Sequence, residues 1–147
     1  MKFIEGNNIL FPQQHGFHSK LSCETQLVEL VSDISKELDV GNEVDACLLD
    51  FSKAFDKFNQ AKLLSKIKTI GICDQVVDWT AAFLRDRTQT VTLRGTASYD
   101  SCPVTSGVPQ GSVHYHIIHL IYINDLPSRL KSQVRLFADD TIIYTTT

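Results

Sequence analysis

The spacing of hydrophobic positions along this chain follows a helical period in some stretches and a strand period in others. Apolar residues recur on one helical face in residues 22–38, 62–70 and 74–84, which predicts three amphipathic helices. Ser22 and Asp74 are suited to cap the first and the third of these helices. The helices therefore account for much of the first half of the chain.

Other stretches have the composition of strands. Residues 43–51 become increasingly apolar and end near an acid, which predicts a central, buried strand that presents Asp50 at its C-terminal end. Residues 88–95 and 99–104 predict one hairpin. Residues 133–144 predict a second, because two short runs of branched and aromatic residues flank a pair of acids. Helices and antiparallel strands together predict an α+β fold.

A loop rich in glycine and proline precedes the last predicted helix. Residues 105–112 include Gly107, Pro109 and Gly111, and glycine allows the main chain to approach another molecule closely. Taken alone, such a stretch is also what an ordinary loop looks like. Residues 113–125 are apolar on several sides, so this helix is predicted to be buried.

Composition narrows the class of protein. The chain has 147 residues, of which 43% are hydrophobic, enough for one domain with a core. A formal net charge of -3 argues against a self-sufficient nucleic-acid binder. The four cysteines form no C-x-x-C pair, which argues against a zinc ribbon. Neither a signal peptide nor a membrane span is predicted, so we expect an intracellular protein, with nucleus and cytoplasm not distinguished.

Three acids are candidates for chemistry. Asp139 and Asp140 are predicted at the tip of the second hairpin, and paired carboxylates suit hard cations such as Mg²⁺. The alternative is turn chemistry, because aspartate favours turns. Asp50 has an alternative role as a helix cap. The residues alone leave these alternatives open.

Several motifs, taken in order, resemble the reverse transcriptases of non-LTR (LINE-type, jockey-like) retrotransposons. The matching segments are LDFSKAFD at 49–56, SGVPQGS at 106–112, IYINDLP at 121–127 and FADD at 137–140. In addition, QHGF at 14–17 with Ser22 and Cys23 resembles the fingers motif of that family. The resemblance extends from about residue 12 to the end of the chain.

The resemblance implies the palm of a right-hand polymerase, with antiparallel strands backed by helices. It implies a fingers remnant at about residues 1–40, a palm at 41–147, and a thumb that is absent. The implied activity is RNA-directed DNA polymerase, a nucleotidyltransferase with two Mg²⁺ ions, or Mn²⁺, as cofactors. The implied partners are an RNA template, a DNA primer, deoxynucleoside triphosphates and the missing remainder of the polymerase, with no membrane.

The same resemblance assigns roles to residues. Asp50 and Asp139 become the principal metal ligands, and Asp140 a neighbouring ligand or a support for the primer end. Phe55 would lie under the incoming sugar and reject a 2′-hydroxyl, although a plain core phenylalanine is the alternative. The main-chain carbonyl of Phe51 would add a further metal ligand. The residues implied to contact the nucleotide or the template are Phe51, Phe55, Gly107, Pro109, Gln110 and Gly111.

Several residues depart from the family pattern, and these departures suggest an alternative function. His18 stands where the family usually has arginine, and His114, His116 and His119 fall where it tends to have Leu-Gly-Pro and apolar residues. Altered motif sequence explains these histidines better than a metal site, since no cysteine or carboxylate is spaced with them. A catalytically inactive retroelement remnant or an interaction module is therefore the alternative function. The sequence leaves open activity, expression, template and target-site specificity, and oligomeric state.

Overall fold

The fold, obtained as a computed structural model, combines helices with antiparallel strands, consistent with the predicted α+β class. The structure describes residues 2–51, 53, 55–98, 100–109, 111–112 and 114–147. These residues form two compact units: the first is Met1–Ser52 with His116–Thr147, and the second is Lys53–Tyr115.

The helices and strands are short, apart from one long helix. The helices are α1 (Lys2–Gly6), α2 (Cys23–Asp39), α3 (Gln60–Thr69), α4 (Asp74–Leu84) and α5 (Tyr115–Ile123), followed by a 3₁₀ turn at Pro127–Arg129. The strands are β1 (Val44–Asp50), β2 (Thr88–Gln89), β3 (Thr92–Leu93), β4 (Thr96–Ala97), β5 (Cys102–Pro103), β6 (Gln133–Phe137) and β7 (Asp140–Thr146).

The long helix α2 begins where the capping signal predicts. The Ser22 hydroxyl accepts a hydrogen bond from the Thr25 amide, and the Thr25 hydroxyl oxygen accepts one from the Ser22 amide. This reciprocal pair satisfies two amides that the helix itself leaves without partners. The predicted apolar face is less covered than its spacing suggests, because Leu27, Val31 and Leu38 are exposed while Leu30 is buried.

The first unit contains a three-stranded antiparallel sheet in the order β1-β7-β6. The predicted strand at residues 43–51 is confirmed as β1, but its predicted central, buried position is wrong. A strand is buried when both of its edges are paired and both of its faces are covered. Within the described residues β1 pairs with β7 alone, and Leu48 is 75% exposed.

A polar network joins α2 to the sheet. The buried Arg135 of β6 donates hydrogen bonds to Glu29 and Asp33, and the hydroxyl of Tyr144 on β7 also donates to Asp33. The Tyr144 hydrogen bond, followed by that from Arg135, holds the pKa of Asp33 below its ordinary value despite partial burial. Burial alone would lower the pKa of Arg135. The hydrogen bonds of Arg135 with Asp33, Tyr144 and Glu29 outweigh this effect and raise the pKa.

The second unit contains α3, α4 and two small hairpins. Both predicted helices are confirmed, with Leu63 and Ile67 of α3 and Val77 of α4 buried. The predicted cap at Asp74 is wrong by one residue, because the N-cap is Cys73. Trp79 is 48% exposed and therefore does not fill a core. Its ring stacks on that of Phe83.

The predicted hairpin of residues 88–104 is confirmed in an interrupted form. Strand β3 pairs with β4 at the tip, and β2 pairs with β5 at the base. Arg94 and Gly95 both have positive φ, of 50° and 82°, as the two central residues of a type I′ turn require. The register around this turn follows from a local signal in the sequence.

Candidate active site

The turn between β6 and β7 carries the paired acids. Phe137 and Asp140 face each other across the ladder, so Ala138 and Asp139 form a two-residue turn. Ala138 has φ of 57°, as the first central residue of a type II′ turn requires. The predicted hairpin is confirmed with one refinement: Asp139 lies in the turn, whereas Asp140 opens strand β7.

Strand pairing brings Asp50 next to these acids. In the β1–β7 ladder Asp50 is directly opposite Asp140, although the two residues are far apart in the sequence. Directly opposite residues project to the same face, with Cβ atoms about 4.5–5.5 Å apart. Both side chains are exposed. Two like charges in this position repel each other, so the arrangement favours a cation between them.

The chemistry of these donors fits a hard cation. Asp50 and Asp140 offer carboxylate oxygens on one face, and the half-buried Asp139 is adjacent to Asp140. Throughout the part of the chain that the structure describes, no cluster of three or more histidine, cysteine, aspartate or glutamate side chains is arranged to hold a metal. Mg²⁺ is often bound by one or two carboxylates, with water and substrate phosphates as its other ligands. An opposed pair suits that mode of binding.

The backbone of this turn is held by an N-terminal segment. The Leu136 amide donates to the Gln13 carbonyl and the His15 amide donates to the Leu136 carbonyl, each at 3.0 Å. The buried side chain of Gln14 contacts the backbone of Ala138. The sequence placed Gln14 and His15 in a fingers motif and did not predict their contact with the turn. Nothing in the local spacing of QHGF could have revealed a partner more than 100 residues away.

The three histidines of the altered motif have separate surroundings. His114 packs edge-on against Trp79 in the second unit, and His116 packs against Phe17 in the first, with ring centroids 3.9 Å apart. His119 is buried within α5, and burial lowers its pKa, opposed by the Ala138 backbone and the Asp139 charge. His119 therefore favours its neutral form.

A cavity of about 420 Å³ lies in the first unit between α2 and the sheet face that carries Asp50 and Asp140. Most of its lining is apolar, and it includes the buried side chain of Gln26. The Gln26 amide nitrogen donates to the Gln13 carbonyl at 3.3 Å. Asp50 and Asp140 therefore line a largely apolar cavity.

The two phenylalanines of the LDFSKAFD segment fall in different units. Phe51 follows β1 in the first unit and is 37% exposed. Phe55 belongs to the second unit, where its half-buried ring packs edge-on against Tyr115 at 5.2 Å. The ring of Phe58, which is buried, lies 6.3 Å from that of Phe55. The rings of Tyr115 and Phe58 thus support the side chain of Phe55.

The glycine-rich loop packs against the backbone that follows Phe55. The Val108 amide donates to the Phe55 carbonyl and the Gly107 amide donates to the Phe58 carbonyl, each at 3.0 Å. Gly107 has φ of 72°, and a Cβ there would lie 2.7 Å from the Phe55 carbonyl oxygen. Close approach and positive φ both require glycine at this position.

The remaining loop residues are less constrained. Pro109 is half-buried, and Gly111 is exposed with φ of 82° and open space around its Cα. Gln110, the residue implied to contact the template, lies outside the described residues. The structure thus places Asp50 opposite Asp140 in the first unit, with Asp139 next to Asp140 in the chain, and brings Phe55 and Gly107 together in the second.

Comparison with known proteins adds an independent finding. The sequence profile of the family described as "Reverse transcriptase (RNA-dependent DNA polymerase)" matches residues 1–147.

None of the described helices has the length and apolar character needed to cross a bilayer.

Individual relatives come from mobile elements of Drosophila melanogaster. The chain is 27% identical over 140 residues to the RNA-directed DNA polymerase from mobile element jockey, a match that covers 90% of this chain and 15% of the relative. It is also 27% identical over 148 residues to a probable RNA-directed DNA polymerase from transposon X-element, covering 97% of this chain and 16% of the relative. This chain thus spans about a sixth of the length of these relatives.

Proposed function

Because this chain belongs to the reverse transcriptase (RNA-dependent DNA polymerase) family of non-LTR retrotransposons, we propose that it contributes the catalytic acids of a polymerase that copies RNA into DNA. In this proposal residues 41–147 form the palm and residues 1–40 a remnant of the fingers. The observation that carries the proposal is the pairing of Asp50 with Asp140 beside the turn that holds Asp139.

The proposed reaction is nucleotidyl transfer. The primer 3′-hydroxyl loses its proton to solvent, its oxygen forms a bond to the α-phosphorus of a deoxynucleoside triphosphate, the bond from that phosphorus to the β-phosphate oxygen breaks, and pyrophosphate leaves. When bound, two Mg²⁺ ions activate the attacking oxygen and stabilise the leaving group. Asp50 and Asp139 would be the principal ligands, Asp140 a neighbouring ligand, and the main-chain carbonyl of Phe51 a further one. Mn²⁺, which also takes oxygen ligands, is expected to substitute.

Recognition of the nucleotide is assigned to the second unit. The supported ring of Phe55 offers no hydrogen-bond partner to a 2′-hydroxyl, so a ribonucleotide would leave that group unsatisfied and bind less well. The loop with Gly107, Pro109, Gln110 and Gly111 would contact the template base and the nucleotide backbone. Its close packing on the backbone of residues 55–58 supports a fixed position relative to Phe55.

The proposed partners are an RNA template, a DNA primer, deoxynucleoside triphosphates and the remainder of the polymerase. The remainder of the polymerase is included because this chain spans about a sixth of the length of its relatives. Activity is therefore best measured both on the isolated chain and with the rest of the protein supplied.

Primer extension tests the proposal. The assay contains an RNA template, a labelled DNA primer, deoxynucleotides and Mg²⁺. Asp139→Ala is expected to reduce the extension rate by on the order of 100-fold or more, the scale seen when one charge-stabilising group is removed from an active site. Asp45→Asn is the matched control, since Asp45 is an exposed carboxylate at the other end of β1.

Two outcomes would contradict the proposal. Extension by the Asp139→Ala variant at the wild-type rate would show that this acid takes no part in the reaction. No extension by the wild-type protein, even with the rest of the polymerase supplied, would favour an inactive remnant or an interaction module.

A further inference from the structure

One buried side chain engages both backbone groups of the residue before Asp139. Gln14 is 1% exposed. Its side-chain oxygen accepts hydrogen bonds from the Ala138 amide at 3.0 Å and from the Gly16 amide at 2.8 Å. Its side-chain nitrogen donates to the Ala138 carbonyl at 3.4 Å, the long end of the range. Glutamine suits this position because one planar group both accepts and donates.

The turn requires such support. Ala138 adopts φ of 57°, a conformation unfavourable for a residue with a Cβ. Conformations of this kind persist when the surrounding structure over-determines them, and they concentrate at functional sites. The buried amide of Gln14 provides that constraint at Ala138, immediately before the first acid of the pair.

The segment that carries Gln14 is itself fixed to the same strand. Gln13 and His15 are hydrogen-bonded on either side to the backbone of Leu136, two residues before Ala138. A Cβ on Gly16 would lie 2.1 Å from the Ala138 nitrogen, so only glycine permits this approach. The contact between the N-terminal segment and the turn is therefore close, specific and built from several elements.

We propose that Gln14 is a positioning residue for the acid pair. By holding the peptide groups on both sides of Ala138, it sets the direction in which Asp139 leaves the turn, and hence the position of Asp139 relative to Asp50 and Asp140. The catalytic consequence rests on the proposed polymerase function. The effect on cation binding does not require turnover, so the two can be tested separately.

The test compares three substitutions. Gln14→Met removes both hydrogen-bonding atoms at similar volume. Gln14→Glu keeps an oxygen for the Ala138 and Gly16 amides, and when protonated it also keeps a donor. Gln13→Met is the matched control, because Gln13 contacts Leu136 and Gln26 only through its backbone carbonyl among the hydrogen bonds of the described residues.

Two measurements are made on each protein. Hydrogen exchange of the Ala138 amide, followed by NMR, is expected to be about tenfold faster in Gln14→Met, the loss of one hydrogen bond. Mn²⁺ is then titrated while the broadening of the Asp139 and Asp140 amide signals is followed. We expect the midpoint to rise about tenfold in Gln14→Met, as when an outer-shell partner of a metal site is removed. Gln13→Met should remain close to wild type, and Gln14→Glu should lie between wild type and Gln14→Met.

The outcomes separate a positioning role from a purely structural one. Faster exchange with an unchanged Mn²⁺ midpoint would mean that Gln14 only stabilises the fold, and would overturn the proposal. Unchanged exchange, or a wild-type protein in which Mn²⁺ does not broaden these signals, would overturn it as well. If Gln14→Met does not fold, Gln14→Asn replaces it, because its shorter side chain withdraws the amide from Ala138. Wild-type primer extension is measured separately, so failure of the polymerase function is distinguished from failure of this inference.

Discussion

Glycine at position 107 is required by its surroundings rather than by the loop alone. Its φ is positive, and a Cβ would meet the backbone of Phe55 and Asp56 at 2.7 Å. Backbone atoms cannot move aside as the end of a flexible side chain can. The loop that contains Gly107 therefore packs closely on the backbone after Phe55 within the second unit.

Gly107→Ala is expected to destabilise the protein by about 1–3 kcal/mol, from the strained φ together with the steric overlap. Urea denaturation followed by circular dichroism measures the change. Gly71→Ala is the matched control, because Gly71 also has positive φ, of 80°, but has open space around its Cα. Equal losses in the two variants would show that the overlap with Phe55 contributes nothing.

At the scale of elements, a polar network links α2 to the sheet. Arg135, Glu29, Asp33 and Tyr144 link the helix to β6 and β7, whereas Leu27 on the same helix is exposed. A buried guanidinium left without its partners is strongly destabilising. We therefore expect this network to contribute to holding α2 on the face that carries Asp50 and Asp140.

This network predicts a pH dependence of stability. The pKa of Asp33 is lowered in the folded state, chiefly by the Tyr144 hydroxyl. A lowered carboxyl pKa contributes stability above the unfolded value of about 3.9, and that stability is lost as pH falls through the folded value. We expect Asp33→Asn to reduce the free energy of unfolding at pH 7 by about 1–3 kcal/mol.

The difference between Asp33→Asn and wild type should shrink as pH falls below about 4. Urea denaturation between pH 7 and pH 3 measures this difference. Asp39→Asn, an exposed carboxylate on the same helix, is the control and should follow wild type. A constant difference across this range would show that the charge on Asp33 does not contribute.

At the scale of the whole molecule, charge limits what the chain does alone. Its formal net charge is -3, whereas nucleic-acid affinity comes mainly from basic groups that neutralise phosphates. The family and the charge are compatible if the basic surfaces of the proposed polymerase lie outside this chain. The chain spans about a sixth of its relatives, which leaves ample room for such parts.

The isolated chain is accordingly expected to bind a primer–template duplex weakly, in the non-specific range of about 10⁻⁴–10⁻⁶ M at physiological salt, with a shallow salt dependence. Fluorescence anisotropy at two salt concentrations measures both quantities. Supplying the rest of the polymerase should tighten binding and steepen the slope. Nanomolar binding by the chain alone, with a steep slope, would contradict this view of its charge.

Local signals in the sequence determined the elements of this protein. The Ser22 capping pair begins α2, the Arg94-Gly95 turn closes the hairpin of β3 and β4, and the ordered motifs around Asp50, Gly107 and Asp139 indicated the family. Each of these signals lies within a few neighbouring residues. For that reason the order of amino acids alone is enough to interpret them.

Tertiary structure decided which distant residues meet. It placed Asp50 opposite Asp140, brought Gln14 to Ala138, and left β1 at an exposed edge. The period of apolar residues shows which face of an element avoids water, but not which element will cover that face. Contacts between remote segments depend on strand register and on side-chain fit, and these are defined only when the whole chain has folded.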